Sequence, residues 1–138
     1  MAHEKSSDIL CNMCLVYRKD GQILVQMRHK SDWPGLTLPG GHVEKGEHLE
    51  ESIRREMKEE TNLTLGRLEL CGVLEWDFPD VDHYLAFLYR TDEYQGELRS
   101  SQEGEVFFID HREVGKYPLS LDMDKILEMT LKGLFPAK

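Results

Sequence analysis

The chain has 138 residues, enough for one domain (residues 1–138) with a buried core, and its 40% hydrophobic and 31% charged content is that of a globular protein. A net charge of −9 without a basic stripe excludes a non-specific binder of nucleic-acid polymers or of anionic membranes, though not a small phosphate-bearing ligand. The opening residues MAHEKSSD form no apolar leader, no apolar run approaches a membrane span, and the odd count of three cysteines points to reduced thiols and a cytoplasmic setting.

Ile9 to Arg18 (ILCNMCLVYR) is an apolar, strand-forming run. It carries Cys11 and Cys14 as a CxxC, but residues three apart on a strand face opposite sides, so metal or redox chemistry is not expected of them. Asp20-Gly21 then predicts a hairpin turn into a second strand, Gln22–Arg28. A loop follows from His29 to Gly35, then a short extended piece at Leu36–Leu38, and Pro39-Gly40-Gly41 makes a tight turn whose glycines allow close approach of a ligand to the backbone.

The main helix is expected from Glu47 to Asn62, with Leu49, Ile53 and Met57 as one apolar stripe and Asn62 as a left-handed C-terminal cap. Beyond it, Arg67–Phe78 and Asp82–Arg90 read as strands, the second apolar enough to be buried on both faces. Thr91–Gly104 is a loop with a short extended piece near Glu97-Leu98. Glu105–Asp110 (EVFFID) is a further buried strand, His111–Ser120 a connection, and Leu121–Leu134 a C-terminal helix. The order β, β, α, β, β, β, α predicts an α/β sandwich, with a central mixed sheet between helices.

The main helix holds the chemistry. With Arg55 at zero, Glu59 falls near 40°, Glu56 near 100° and Glu60 near 140°, at about 100° per residue. Glu56 and Glu60 therefore border the apolar stripe, where a bare carboxylate is costly, and three carboxylates converge on one patch. A hard divalent cation would make that arrangement favourable. Arg55 can pair with Glu51 or Glu59 and so orient a carboxylate, while Glu47 is a capping or supporting group.

Gly41, Glu47, Arg55, Glu56, Met57, Glu59, Glu60 and Leu63 fall in register on the box of the Nudix (MutT-like) hydrolases, and the lead-in WPGLTLPGGHVEKGE also resembles that family. Asn62 stands where the family has glycine, a change the left-handed conformation tolerates. The resemblance implies a Nudix-type α/β/α sandwich and hydrolysis of a phosphoric anhydride bond in a nucleoside diphosphate derivative, with Mg²⁺ or Mn²⁺ as cofactor. It further implies Glu56, Glu59 and Glu60 as metal ligands. The general base in such enzymes is a box glutamate or one in a later loop, where Glu103 and Glu105 are the candidates and Glu103 is taken as an additional ligand or base.

For substrate, Arg28 is a candidate phosphate contact, Gly40 and Gly41 the close-approach turn, and Trp33 the first candidate for stacking on a base, ahead of Trp76 and Phe78. The stretch Tyr117–Asp124 resembles the base-reading segment of oxidised-purine triphosphatases, so Asp122 or Asp124 can accept from a purine edge, although Asp122 can equally cap the last helix. The favoured partner is a small nucleotide, an 8-oxo-dGTP-type triphosphate cleaved to monophosphate and pyrophosphate. Dinucleoside polyphosphates, ADP-ribose and a non-catalytic nucleotide-binding module are the alternatives.

Overall fold

The computed structural model describes residues 7–31 and 33–136, so most of the N-terminal stretch read for a leader lies outside the described residues. In chain order the strands are β1 (Ile9–Val16), β2 (Gln22–Arg28), β3 (Gly35–Thr37) and β4 (Gly40–His42), followed by helix α1 (Leu49–Thr61). After α1 come β5 (Thr64–Leu65), β6 (Glu69–Trp76), β7 (Tyr84–Thr91), β8 (Tyr94–Gln95) and β9 (Glu105–Asp110), then a short 3₁₀ helix (His111–Lys116) and α2 (Met123–Thr130).

A four-stranded mixed sheet runs β4-β1-β7-β6, with β1 parallel to β7 and the other pairs antiparallel. A second, antiparallel sheet runs β3-β2-β9, and β5 pairs with β8. The Asp20-Gly21 turn forms as expected, with Gly21 at φ 94° and its amide on the Arg18 carbonyl. Its two strands do not make an extended hairpin, however. Beyond the Tyr17–Ile23 bridge they part into different sheets, because β1 finds a full eight-residue parallel partner in β7 and β2 pairs antiparallel with β9 along its length.

The two faces of β1 explain the layers. Cys11, Met13 and Leu15 pack with Met123, Ile126 and Leu127 of α2, whereas Cys14 and Val16 pack with Ile53 and Met57 of α1. The CxxC therefore straddles the sheet, both thiols are free, and burial pushes the Cys11 thiol up to about 12 and that of Cys14 higher still. No described helix is long and apolar enough to cross a membrane.

Several boundaries differ from expectation for identifiable reasons. Glu47 stays outside α1 because its carboxylate accepts from the Glu44 amide and from Arg55. The extended piece in the 91–104 loop sits at Tyr94-Gln95, not Glu97-Leu98, because β5 offers it a partner. The expected start of α2 is lost because Leu36 donates to the Pro118 carbonyl and Ser120 donates to the Leu36 carbonyl, holding 118–120 extended beside β3. Of the EVFFID strand only Val106 is fully buried.

Asn62 ends α1 in the left-handed conformation, at φ 67° and ψ 12°, with its amide donating to the Lys58 carbonyl. Its side-chain Nδ2 also donates to the Glu97 carbonyl at 2.8 Å, which ties the helix end to the following loop. Glycine at this position removes backbone strain and loses that bond, so Asn62→Gly should leave stability within about 0.5 kcal/mol of the parent. Asn62→Ala keeps the strain and loses the bond, and should cost about 2 kcal/mol in urea unfolding.

Candidate functional site

One cleft of about 710 Å³ gathers β1, the β3–β4 turn, α1 and the 101–103 loop. Its construction begins with Asn12, a buried polar residue in the apolar β1 run. The Asn12 side chain accepts from the Gly41 amide at 3.1 Å and donates to Ser52 Oγ at 2.8 Å, so one amide group joins β1, β4 and α1. The expected tight turn at Pro39-Gly40-Gly41 is not what the glycines make: Gly40 and Gly41 lie in β4, paired with Met13 and Asn12 of β1, and are needed there for a steric reason. A Cβ at Gly40 would overlap the Asn12 backbone, and one at Gly41 would overlap the Glu56 carboxylate.

Arg55 neutralises the acidic helix. Its Nε and Nη2 grip Glu47 in a two-pronged pair at 2.6 and 3.0 Å, and Nη1 donates to Glu56 at 2.9 Å and Glu59 at 3.2 Å. Nη2 also donates to the His42 carbonyl at 3.1 Å. Of its two expected partners, Glu59 is present, whereas Glu51 lies on the solvent side near His48. The Arg55 hydrogen bonds hold the Glu47 carboxyl down at about 2, below the ordinary 4.5.

Glu60 is the opposite case. It is 3% exposed, with Gln26 Nε2 donating to Oε1 at 2.7 Å. Burial first, and then a hydrogen bond shared with Glu56, raise its carboxyl well above the carboxylate range, while the Gln26 bond opposes the rise. Gln26 Oε1 is buried beside this pair without a hydrogen-bond partner.

These features suit a hard cation by chemistry. The donors Glu56, Glu59 and Glu60 are carboxylates, and the Gln26 amide that holds Glu60 has a buried oxygen without a hydrogen-bond partner. Among the described residues no three His, Cys, Asp or Glu side chains are already drawn into a ligand set, since Arg55 Nη1 lies between Glu56 and Glu59 and supplies the positive charge there.

Arg28, Trp33, Gly40, Gly41 and Glu103 also line the cleft. Glu103 pairs with Lys30 at 2.9 Å and Arg28 at 3.4 Å, while Glu105 is not among the lining residues. Trp33 lines the cleft, but Trp76 is buried and packs edge-on against it at 5.2 Å, with Phe78 behind. Asp122 lies outside the lining. Its carboxylate accepts from Trp76 Nε1 at 2.7 Å and makes no side-chain cap to α2, so it meets the cleft through Trp76 and Trp33 rather than directly. Asp124 is exposed on the first turn of α2.

Asn12, Ser52, Gln26, Lys30 and Tyr84 are site neighbours that the sequence reading passed over. A lone amide in each of the apolar runs ILCNMCLV and ILVQM was the signal for Asn12 and Gln26. The other three carry no such mark.

With this geometry in place, known proteins can be set beside it. The family model of the NUDIX domain matches residues 11–129. The ADP-ribose pyrophosphatase of Methanocaldococcus jannaschii is 36% identical over 118 residues, covering 82% of this chain and 68% of that protein. The oxidized purine nucleoside triphosphate hydrolase of Danio rerio is 30% identical over 105 residues, covering 72% and 64%. The crystal structure of a MutT Nudix hydrolase from Burkholderia pseudomallei superposes with a TM-score of 0.78 at 24% identity, covering 88% of this chain and 97% of that one, and shares its fold. The chain therefore belongs to the Nudix hydrolase family, whose members cleave pyrophosphate bonds.

Proposed function

We propose that this Nudix hydrolase is a divalent-metal-dependent diphosphatase of a nucleoside triphosphate of the 8-oxo-dGTP type, releasing the monophosphate and pyrophosphate. The observation that carries the reading is one cleft with a carboxylate wall (Glu56, Glu59, Glu60) and an aromatic end (Trp33, Tyr84), the shape of a ligand with one base and one phosphate chain. The Danio rerio relative, by its name, supports the same substrate class. The three free thiols support a reducing, cytoplasmic setting.

Glu56, Glu59 and Glu60 would hold Mg²⁺ or Mn²⁺, with Glu103 as a further ligand or the general base. When bound, such an ion neutralises charge on the phosphoryl oxygens and makes a water acidic enough to attack. The chain's own residues do the rest. Arg55 fixes the Glu56 carboxylate, anchored from behind by Glu47. Gly41 leaves the Glu56 oxygens uncovered where any side chain would bury them. Arg28 meets phosphate from the opposite wall, and the rings of Trp33 and Tyr84 border the base. A second reading, cleavage of ADP-ribose, is favoured by the longer and more identical match to the Methanocaldococcus jannaschii enzyme.

A panel of 8-oxo-dGTP, dGTP, dinucleoside polyphosphates and ADP-ribose, assayed with Mg²⁺ and with EDTA, decides between them. Fastest turnover of 8-oxo-dGTP with release of pyrophosphate is expected; fastest release of AMP from ADP-ribose would replace the first reading by the second. Turnover should vanish in EDTA. Glu56→Gln should lower kcat by about 100-fold or more, with a smaller change in KM.

Stability should also depend on pH, with two separate windows. Glu60 titrates higher in the folded chain than in the unfolded one. Its favourable contribution is complete below the ordinary value of 4.5 and is lost as pH rises towards and past neutrality. Glu47 titrates lower when folded, so its contribution is present above 4.5 and is lost as pH falls to about 2. In EDTA, melting temperature should decline between pH 5 and pH 8, judged on the scale of these ordinary carboxylate values. Glu60→Gln should flatten that decline, and an equally steep decline in the variant would remove Glu60 as its source.

A further inference from the structure

The cleft that is to receive a polyphosphate is itself strongly negative. Among its described lining residues are carboxylates at Glu44, Glu56, Glu59, Glu60 and Glu103, against guanidinium groups at Arg28 and Arg55. Arg55 is held by Glu47, Glu56, Glu59 and the His42 carbonyl. The opposite wall carries Arg28 at the end of β2, and Lys30, two residues later, stands outside the lining and reaches it at Glu103. Both are turned towards one carboxylate: Arg28 Nη2 stands 3.4 Å from Glu103 Oε2, and Lys30 Nζ donates to Glu103 Oε1 at 2.9 Å.

Glu103 rides on a small turn. Ser101 and Gly104 exchange backbone hydrogen bonds at 3.4 and 3.2 Å, and the Glu103 amide donates to Ser101 Oγ at 3.1 Å. The carboxylate is 39% exposed and Lys30 is 50% exposed. Solvent-exposed ion pairs of this kind are weak, whereas a phosphate chain brings several charged oxygens to the same donors.

We propose that Arg28 and Lys30 form the cationic pair that receives the phosphate chain, and that the Glu103 carboxylate occupies this pair until a ligand arrives. Carboxylate and phosphate then compete for the same two cations, and ligand binding frees Glu103 within the cleft that also holds Glu56, Glu59 and Glu60. Lys30 is in this scheme a positioning residue for Glu103 in the empty enzyme and a phosphate contact in the loaded one. The inference rests on reading the cleft as a nucleotide site.

Its test needs no metal and no turnover. Tripolyphosphate is titrated into the full chain in EDTA at low ionic strength and binding is followed by calorimetry. Glu103→Gln should bind roughly two- to fivefold tighter than the parent, because the competitor is neutral, and Lys30→Met roughly two- to fivefold weaker. Lys30→Arg should restore the parent affinity. In hydrogen exchange, the amides of residues 101–104 should exchange faster when tripolyphosphate is added to the parent, and should already be fast in Lys30→Met without it. Unchanged or weaker binding by Glu103→Gln, or parent-like binding by Lys30→Met, overturns the competition. Hydrolysis is read separately. A silent nucleotide panel with the tripolyphosphate pattern intact overturns the proposed activity and upholds the competition, and an active panel with no tightening in Glu103→Gln upholds the activity and overturns the competition.

Discussion

The guanidinium of Arg55 makes the acidic end of α1 possible. Glu56, Glu59 and Glu60 lie within one turn of each other, and like charges at three- and four-residue spacing destabilise a helix. Two different devices remove the problem. Arg55 places one nitrogen between Glu56 and Glu59, and the protein buries Glu60 where its neutral form is favoured. Arg55 itself is held by Glu47, which comes from the chain before the helix begins. The β4–α1 connection is thereby fastened to the middle of the helix, and the orientation of Glu56 becomes a property of the loop as well as of α1.

Asn12 completes this arrangement from the sheet side. A buried amide without partners would cost more than the apolar residue it replaces, yet here its oxygen and nitrogen are both used, on Gly41 and Ser52. The same contact holds the glycines of β4 against β1 and close to the Glu56 carboxylate. Sheet, turn and helix thus share one rigid joint. The Glu56 and Glu60 carboxylates that converge there are held by hydrogen bonds from half-buried Arg55 and buried Gln26.

What could be read in advance followed from local physics. The four-residue apolar spacing of Ile53 and Met57 and the left-handed tolerance of Asn62 are encoded within one turn of the helix, and both appear as expected. The partition of β1 and β2 into separate sheets is not local. It is decided by competition between a turn that favours a hairpin and a parallel register with β7, 75 residues away, that satisfies eight residues at once. The same limit applies to Trp33 and Trp76. Both are aromatic residues near turns, and which of them faces the cleft depends on how β6 lies against the β2–β3 loop. Asp122 shows a further limit, since an indole N–H from β6 claimed the carboxylate that a helix cap or a ligand would otherwise have used.

The site therefore divides into a fixed half and an adjustable half. The carboxylate wall is built from helix and sheet residues whose hydrogen bonds reach into the core. The opposite wall consists of the end of β2, the loop that carries Lys30 and Trp33, and the turn that carries Glu103. Loops of that kind change sequence and shape without loss of the core, and they are where binding preferences accumulate on a shared scaffold. A long in-register match through α1 therefore identifies the family and the kind of bond its members cleave, because the matched residues build the fixed half. In the adjustable half the residues answer to one another within one wall, as Glu103 answers to Arg28 and Lys30, and not to any spacing along the chain.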